Sequence, residues 1–285
     1  MQKELTIILG PTGVGKTDFS IDLAKEYGSP IINCDSRQIY KEMNIGTASP
    51  SAWQLEQVRH YFIHTHSVVQ YYTAGLYELE AMELLEQLFK THNRLVMVGG
   101  SGMYIDALCN GLDDFPPADL KLRDSLMKRL QEEGIGSLRN ELRVLDRVSY
   151  DTIDIANPQR VVRALEVTLQ TGRKFSDWKS APKKVRPFAI RKLGLNRERE
   201  ELYERINRRV DMMMEEGLLA EVESLVQYKD LPALKTVGYR EIFEYMDGKH
   251  SLETAVELIK RNSRHYAKKQ LTYWGRDKEI EWIMI

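Results

Sequence analysis

Eight residues near the start of the chain, Gly10-Pro11-Thr12-Gly13-Val14-Gly15-Lys16-Thr17, have the spacing G-x-x-x-x-G-K-[ST]. Each residue type has a physical reason to be there. Glycines let consecutive backbone N–H groups curl around phosphate oxygens, and the start of the following helix adds positive potential. Lys16 supplies a mobile point charge, and the Thr17 hydroxyl is placed to ligate Mg²⁺. The loop follows the apolar run 5–9 and precedes an amphipathic stretch, 17–27, closed by Gly28. This is the strand–loop–helix context that the chemistry requires. A Gly-rich turn without a ligand has little room in that setting.

The loop identifies the group held, a phosphate or diphosphate, and not the reaction. Most such loops serve nucleoside triphosphates such as ATP. The chain has no Asn-Lys-x-Asp and no Asp-x-x-G, so guanine recognition of the GTPase kind is unsupported. The apolar run 95–98 ends in Gly99-Gly100, not in the acid that a Walker-B strand places on Mg²⁺. A second candidate group is Asp35, just past the apolar run 30–34, in Asp35-Ser36-Arg37-Gln38-Ile39-Tyr40. In an open parallel sheet the ligand crevice lies outside the C-terminal ends of the strands, so Asp35 should face the same crevice as the phosphate loop. An acid there can hold Mg²⁺ through water or accept a proton from a nucleophile. The alternative is an Asp that caps the next helix. Small-metabolite kinases also carry an acid at this point, so Asp35 alone does not separate kinase from transferase.

Those residues need a scaffold, and the pattern supplies one. Helical stretches are expected at 51–60 and 76–90, and strands at 61–63 and 95–98. Strands alternating with helices imply a parallel sheet covered on both faces. The pattern changes near Asp113-Asp114-Phe115-Pro116-Pro117. From 118 to about 180 only helical periods and turns occur, with helices expected at 120–133, 135–145 and 159–171. A strand returns at 188–195, followed by helices over 199–217, 219–228, 240–246 and 252–274. The expected fold is α/β, a P-loop NTPase-like parallel sheet core with a helical insertion domain and C-terminal helices. Its expected domains are residues 1–116 with 186–285, and the insertion 117–185.

Composition excludes several classes. The 285 residues are 42% hydrophobic and 29% charged, an ordinary globular balance. No run of 18 apolar residues occurs, so no membrane association is expected. The N-terminus is too short and too acidic before the first strand for a signal peptide. Cys34 and Cys109 lie far apart, which argues against a disulfide framework and for a reducing, cytoplasmic setting. His60, His64 and His66 sit in strand-like surroundings and do not read as a metal site. The net charge of −1 hides an asymmetry. Residues 1–110 carry 8 Lys/Arg against 12 Asp/Glu, whereas 157–192 carry 10 against 2, and 258–276 carry 6 against none. A polyanionic partner would explain this, as would solvated helix faces.

Together these residues resemble the tRNA dimethylallyltransferase (tRNA isopentenyltransferase) family over nearly the whole chain. The resemblance rests on Gly10–Thr17, Asp35–Tyr40, Met43-Asn44-Ile45-Gly46-Thr47-Ala48 and Gly99-Gly100-Ser101-Gly102-Met103-Tyr104. It continues through Asn157-Pro158-Gln159-Arg160-Val161-Val162-Arg163-Ala164-Leu165-Glu166, Val237-Gly238-Tyr239-Arg240-Glu241 and Arg264-His265-Tyr266-Ala267-Lys268-Lys269-Gln270. The resemblance implies that the loop binds dimethylallyl diphosphate, with Mg²⁺, and that the acceptor is N6 of the adenosine 3′ of the tRNA anticodon. It makes Asp35 the general base. It places Lys16 and Thr17, with Mg²⁺, on the departing diphosphate. Ser101 stands where the family usually has Thr, contacting diphosphate and tRNA. Ser36, Arg37 and Gln38 match the surroundings of the flipped adenine. Arg123, Gln159, Arg160, Val161, Val162, Arg163 and Arg240 match tRNA contacts.

The partner implied is the tRNA anticodon stem-loop, and nothing demands more than a monomer. Arg160, Arg163, Arg173, Lys174, Lys183, Lys184 and Arg186 are then candidates to clamp its backbone. Lys260, Arg264 and Lys268, at i, i+4 and i+8, form a basic helix face, beside Tyr266, Tyr273 and Trp274. The sequence departs from the family in Ala48-Ser49-Pro50 and in Thr272-Tyr273-Trp274-Gly275-Arg276, and it has no Cys/His zinc extension. The alternatives are a P-loop small-molecule kinase, an RNA-binding protein with a remnant loop, and an adenylate isopentenyltransferase. The basic stretch after 157 argues against the first and the last.

Overall fold

A computed structural model describes residues 2–113, 115–179 and 184–285. Six strands form a parallel sheet in the order β3-β2-β4-β1-β5-β6: β1 (Glu4–Leu9), β2 (Ile31–Asn33), β3 (His60–Tyr61), β4 (Arg94–Val98), β5 (Ala189–Asn196) and β6 (Ile280–Met284). The helices are α1 (Lys16–Tyr27), α2 (Ala52–Gln57), α3 (Ala74–Leu88), α4 (Gly102–Asn110), α5 (Leu120–Glu133), α6 (Ile135–Leu145), α7 (Arg147–Thr152), α8 (Pro158–Thr171), α9 (Arg199–Glu215), α10 (Leu218–Ser224), α11 (Tyr239–Met246) and α12 (Leu252–Trp274). The chain divides into two compact units. One comprises residues through Cys109 together with Arg186–Ile285, and the other is Asn110–Val185.

In the sheet unit, period-two alternation sends side chains to both faces. Ile8, Ile31, Val96 and Val98 pack with Ile21 and Ala24 of α1, Leu202 and Ile206 of α9, and Ala267 of α12. On α3, buried Tyr77 donates its hydroxyl to the Asn33 carbonyl at 2.9 Å, and its ring stacks on Tyr104 of α4 with centroids 4.5 Å apart. Both faces are therefore covered, and the C-terminal strand ends carry the loops that follow residues 9, 33 and 98.

The helical unit has its own core, with Leu126, Leu138, Leu142, Val161, Val162, Leu165 and Phe175 buried together. Its α8 begins where Asn157 accepts hydrogen bonds from the N–H groups of Gln159 and Arg160, with Pro158 at the first position. It ends at Gly172, φ 67°. Two buried acids pin this unit. Glu166, fully buried, receives Arg123 at 2.7 Å and Arg163 at 2.8 Å. Asp146 accepts from the N–H and hydroxyl of both Ser149 and Ser176. Burial works to raise the Asp146 carboxyl, but these donors outweigh it and hold the group below the ordinary carboxylate range. Asp146→Ala should cost about 2–4 kcal/mol in urea unfolding, because buried donors lose their acceptor. The carboxylate's contribution should be complete above the unfolded value near 3.9 and fade as pH falls through the lower folded value. An unchanged unfolding midpoint would contradict that role.

Several elements differ from expectation. The third strand is two residues long, because Phe62 (φ 61°) and His64 (φ 51°) take left-handed conformations that no strand accommodates. The stretch 219–228 divides into α10 and a 3₁₀ turn at Val226–Tyr228. Strand β6 was not anticipated. It is an edge strand with three exposed residues, so it lacks a continuous apolar run.

Candidate active site

The phosphate loop owes its shape to Gly10, Gly13 and Gly15, all at positive φ. Gly10 (φ 148°) lies so close to β5 that a Cβ would come within 2.5 Å of the Leu195 carbonyl oxygen, and Gly15 (φ 108°) turns the chain into α1. The first-turn N–H groups of α1, including those of Lys16 and Thr17, have no intrahelical acceptor and remain available to an anion. The Lys16 ammonium donates to the carbonyls of Gly10 at 2.8 Å and Pro11 at 3.0 Å, which holds it at the mouth of the loop. Burial lowers its pKa to about 8, with the Asp35 charge opposing and Arg209 assisting. Thr17 and Asp35 line the same cleft of about 390 Å³.

The sequence reading missed the ring of groups that closes over this loop. Arg205 and Arg209, one helical turn apart on α9, face it while Leu202, Ile206 and Val210 face the core. Arg205 Nε donates to the Gly13 carbonyl at 3.0 Å, and Arg209 Nη2 donates to the Thr12 hydroxyl at 2.8 Å. Arg197, just before α9, donates to the Val14 carbonyl at 2.9 Å. Burial lowers Arg209 to about 10, with Asp35 opposing and neighbouring Arg205 assisting. Its Nε is buried with no hydrogen-bond partner among the described residues. Cations crowded at the cost of desolvation, one with an unused donor, are what a bound polyanion would stabilise. Gln270 of α12 completes the ring, accepting from Thr12 N–H at 2.9 Å and donating to the Gly100 carbonyl at 2.8 Å. The available signal was the i, i+4 arginine pair, which a solvated amphipathic helix shows equally well.

Asp35 lies beyond β2 and uses its two oxygens differently. Oδ1 accepts from Arg37 N–H at 2.8 Å, so the capping alternative applies to that atom, although a turn follows and not a helix. Oδ2 faces Gly100, with the position of a Cβ there 3.7 Å away. The Ser101 hydroxyl accepts from Ser36 N–H at 2.8 Å and donates to Ser36 Oγ at 3.0 Å, which joins the end of β4 to the Asp35 turn. Gln38 Nε2 donates to the carbonyls of Thr47 at 3.1 Å and Ala48 at 2.9 Å, so its amide is committed to the segment beside it. A second cleft of about 340 Å³ lies on the other side of this wall, lined by Ser36, Arg37, Lys235, Arg240 and Tyr266. Thr12, Asp35, Thr47, Ala48 and Arg209 border both clefts.

The expected metal donors fit a hard cation that keeps most of its waters. Thr17 offers a hydroxyl and Asp35 a carboxylate, both oxygens and too few for an all-protein cage. Among the described residues no group of three His, Cys, Asp or Glu could hold a metal alone.

The chain resembles known proteins over nearly its full length. The family model described as IPP transferase matches residues 38–277. The chain belongs to this family. A tRNA dimethylallyltransferase 1 of Bacteroides thetaiotaomicron is 50% identical over 98% of this chain and 91% of that protein. A tRNA dimethylallyltransferase of Christiangramia forsetii is 46% identical over 99% and 94%. Among solved structures, the full-length tRNA isopentenylpyrophosphate transferase of Bacillus halodurans is 34% identical with TM-score 0.72, covering 99% of this chain and 90% of that one. A eukaryotic dimethylallyltransferase acting on tRNA is 26% identical with TM-score 0.83, covering 99% and 74%.

Within this IPP transferase several residues proposed for RNA contact are placed otherwise. Val161 and Val162 are buried in the helical core, and of the residues expected to contact tRNA on that helix Gln159 and Arg160 are the exposed ones. Arg123 and Arg163 share Glu166, and their charge is partly neutralised. Arg186 is a structural residue. It pairs with buried Glu78 at 2.8 Å and donates to the carbonyls of Ala107 and Leu108 that end α4. Lys260 is paired with Asp211 at 2.7 Å, and Arg264 donates to Asn207, so the expected basic face of α12 is largely satisfied internally. Trp274 is buried, Tyr273 bonds Asp106, and Tyr266 lines the second cleft. Lys183 lies outside the described residues.

Proposed function

We propose that the chain transfers a dimethylallyl group from dimethylallyl diphosphate to N6 of the adenosine 3′ of the anticodon, tRNA position 37. The observation that carries this reading is the position of Asp35, bordering the phosphate-loop cleft on one side and the cationic second cleft on the other. The diphosphate lies on the loop, against the N–H groups of α1, Lys16, Arg205 and Arg209. The flipped adenine enters from the second cleft, past Ser36, Arg37 and Arg240. Unstacking it costs only a few kcal/mol, because an anticodon loop is already single-stranded.

The chemistry follows from this placement. Negative charge accumulates on the diphosphate oxygens as the C–O bond breaks, and the fixed cations and N–H groups meet it without reorganising. The allylic carbon takes up positive charge as the adenine amine attacks. Asp35 Oδ2 accepts the proton that the amine loses, while Oδ1 stays fixed by Arg37 N–H. Ser101 holds the Asp35 turn against the end of β4. Thr17, with Asp35 through water, would hold Mg²⁺, which adds positive charge at the leaving diphosphate. We assign the helical unit Asn110–Val185 to tRNA, through Gln159, Arg160 and their neighbours, and expect the protein to be monomeric and cytoplasmic. No helix among the described residues is long and apolar enough to cross a membrane.

The test is diphosphate release with dimethylallyl diphosphate, Mg²⁺ and unmodified tRNA, without ATP. Release should require tRNA. Phosphate release from ATP with a small metabolite, and none from the allylic donor, would restore the kinase. A pH dependence should accompany donor binding. Lys16 loses its proton above about 8 in the unliganded protein, and a bound diphosphate must restore it. The donor Kd should therefore be flat below that pH and rise up to about tenfold per unit above it. Calorimetry with proton-uptake analysis reads this directly, and a flat Kd to pH 10 would contradict it.

A further inference from the structure

We infer that Glu221 is a positioning residue that sets the wall between the two clefts, and through it the aim of Asp35. The inference rests on the transfer reading above. Glu221 stands in the first turn of α10, a helix that starts anew because Gly217 (φ 101°) breaks the chain after α9. Its carboxylate reaches a segment some 175 residues away in sequence. Oε2 accepts from the N–H groups of Asn44 at 3.1 Å and Ile45 at 2.7 Å, and Oε1 from Gly46 N–H at 3.0 Å. The Tyr239 hydroxyl adds a further donor at 2.6 Å.

Successive backbone N–H groups converging in a turn form an anion-binding concavity. Here the protein fills that concavity with its own carboxylate, on the turn Ile45–Thr47. The far end of the same turn presents the Thr47 and Ala48 carbonyls to Gln38 Nε2, and Gln38 N–H points back to Asp35 Oδ1 at 3.4 Å. A continuous hydrogen-bonded path therefore runs from Glu221 to the proposed base. Thr47 and Ala48, like Asp35 at its end, border both clefts. Ala48 needs the hold, since its φ of 50° is a left-handed conformation unfavourable for a residue with a Cβ. Tyr239 fixes the turn from the other side. A Cβ on Gly46 would lie 2.5 Å from its ring, so glycine lets the ring seat flat against the turn. None of the hydrogen bonds along this path is made to the phosphate loop, and that gives the proposal its signature.

The experiment compares wild type with Glu221→Gln, Tyr239→Phe, Gly46→Ala and the Glu221→Gln/Gly46→Ala double variant. It measures kcat, KM for tRNA, Kd for the donor, and hydrogen exchange at residues 44–46. A glutamine keeps the size of the side chain but turns one acceptor into a donor facing N–H groups. Glu221→Gln should lower kcat about tenfold or more, leave the donor Kd within twofold, and speed exchange at 44–46. Tyr239→Phe, which loses one donor only, should give a milder loss of the same kind. The double variant should be no worse than its poorer parent, because both changes release one turn. Three results would overturn the inference: full kcat in Glu221→Gln, equal losses in donor binding and turnover, or multiplying losses in the double variant. Absence of transfer by wild type itself would instead remove the functional reading on which it rests.

Discussion

Asp35→Asn should lower transfer to tRNA by about 10²–10⁴-fold, the span expected when a general base is lost. The substitution suits the geometry. The asparagine carbonyl oxygen can replace Oδ1 as acceptor for Arg37 N–H, so the turn that joins β2 to the cleft is kept. What disappears is the basic oxygen facing Gly100. Donor binding should therefore survive, since Lys16, Arg205 and Arg209 remain, and the loss should fall on kcat. An Asp35→Asn protein within fivefold of wild type would remove Asp35 from catalysis and leave it as a turn-former.

Lys16→Met should move activity and stability in opposite directions. Transfer should fall about 10²–10³-fold, because a fixed charge at the developing diphosphate is lost. Stability of the unliganded protein should not fall. Burial depresses Lys16 to about 8, so at neutral pH the folded state carries its proton less favourably than the unfolded chain does. Removing the ammonium removes that penalty, and the melting temperature should hold or rise. It leaves the Gly10 and Pro11 carbonyls short of one donor, a smaller loss at a loop open to water. Excess diphosphate should raise the melting temperature of wild type and not of the variant. A variant that melts lower and still binds diphosphate would make Lys16 a structural brace.

The parts of this site that could be read from sequence are those confined to short local patterns. The phosphate loop, Asp35 after an apolar run and the Asn157-Pro158 start of α8 each combine fixed spacing with a local backbone reason. Parallel strands also declare themselves, since burial on both faces leaves unbroken apolar runs such as residues 95–98. What escaped depends on contacts across the sequence. Arg205 and Arg209 reach the loop only because α9 is packed over it by Leu202 and Ile206. Glu221 meets Asn44–Gly46 only through the fold. Charge composition misled where acids distant in sequence neutralise a basic run, as Glu78 does for Arg186 and Asp211 for Lys260. Residues 280–284 escaped because an edge strand half open to water alternates too weakly to be distinguished from a tail.

The central claim is best tested by supplying radiolabelled dimethylallyl diphosphate and Mg²⁺, without ATP, to unmodified tRNA and, in a parallel reaction, to free AMP. The account predicts label in tRNA, located after nuclease digestion on the adenosine 3′ of the anticodon, and none in AMP. Label in AMP alone would assign the second cleft to a free nucleotide, and label in neither would contradict prenyl transfer.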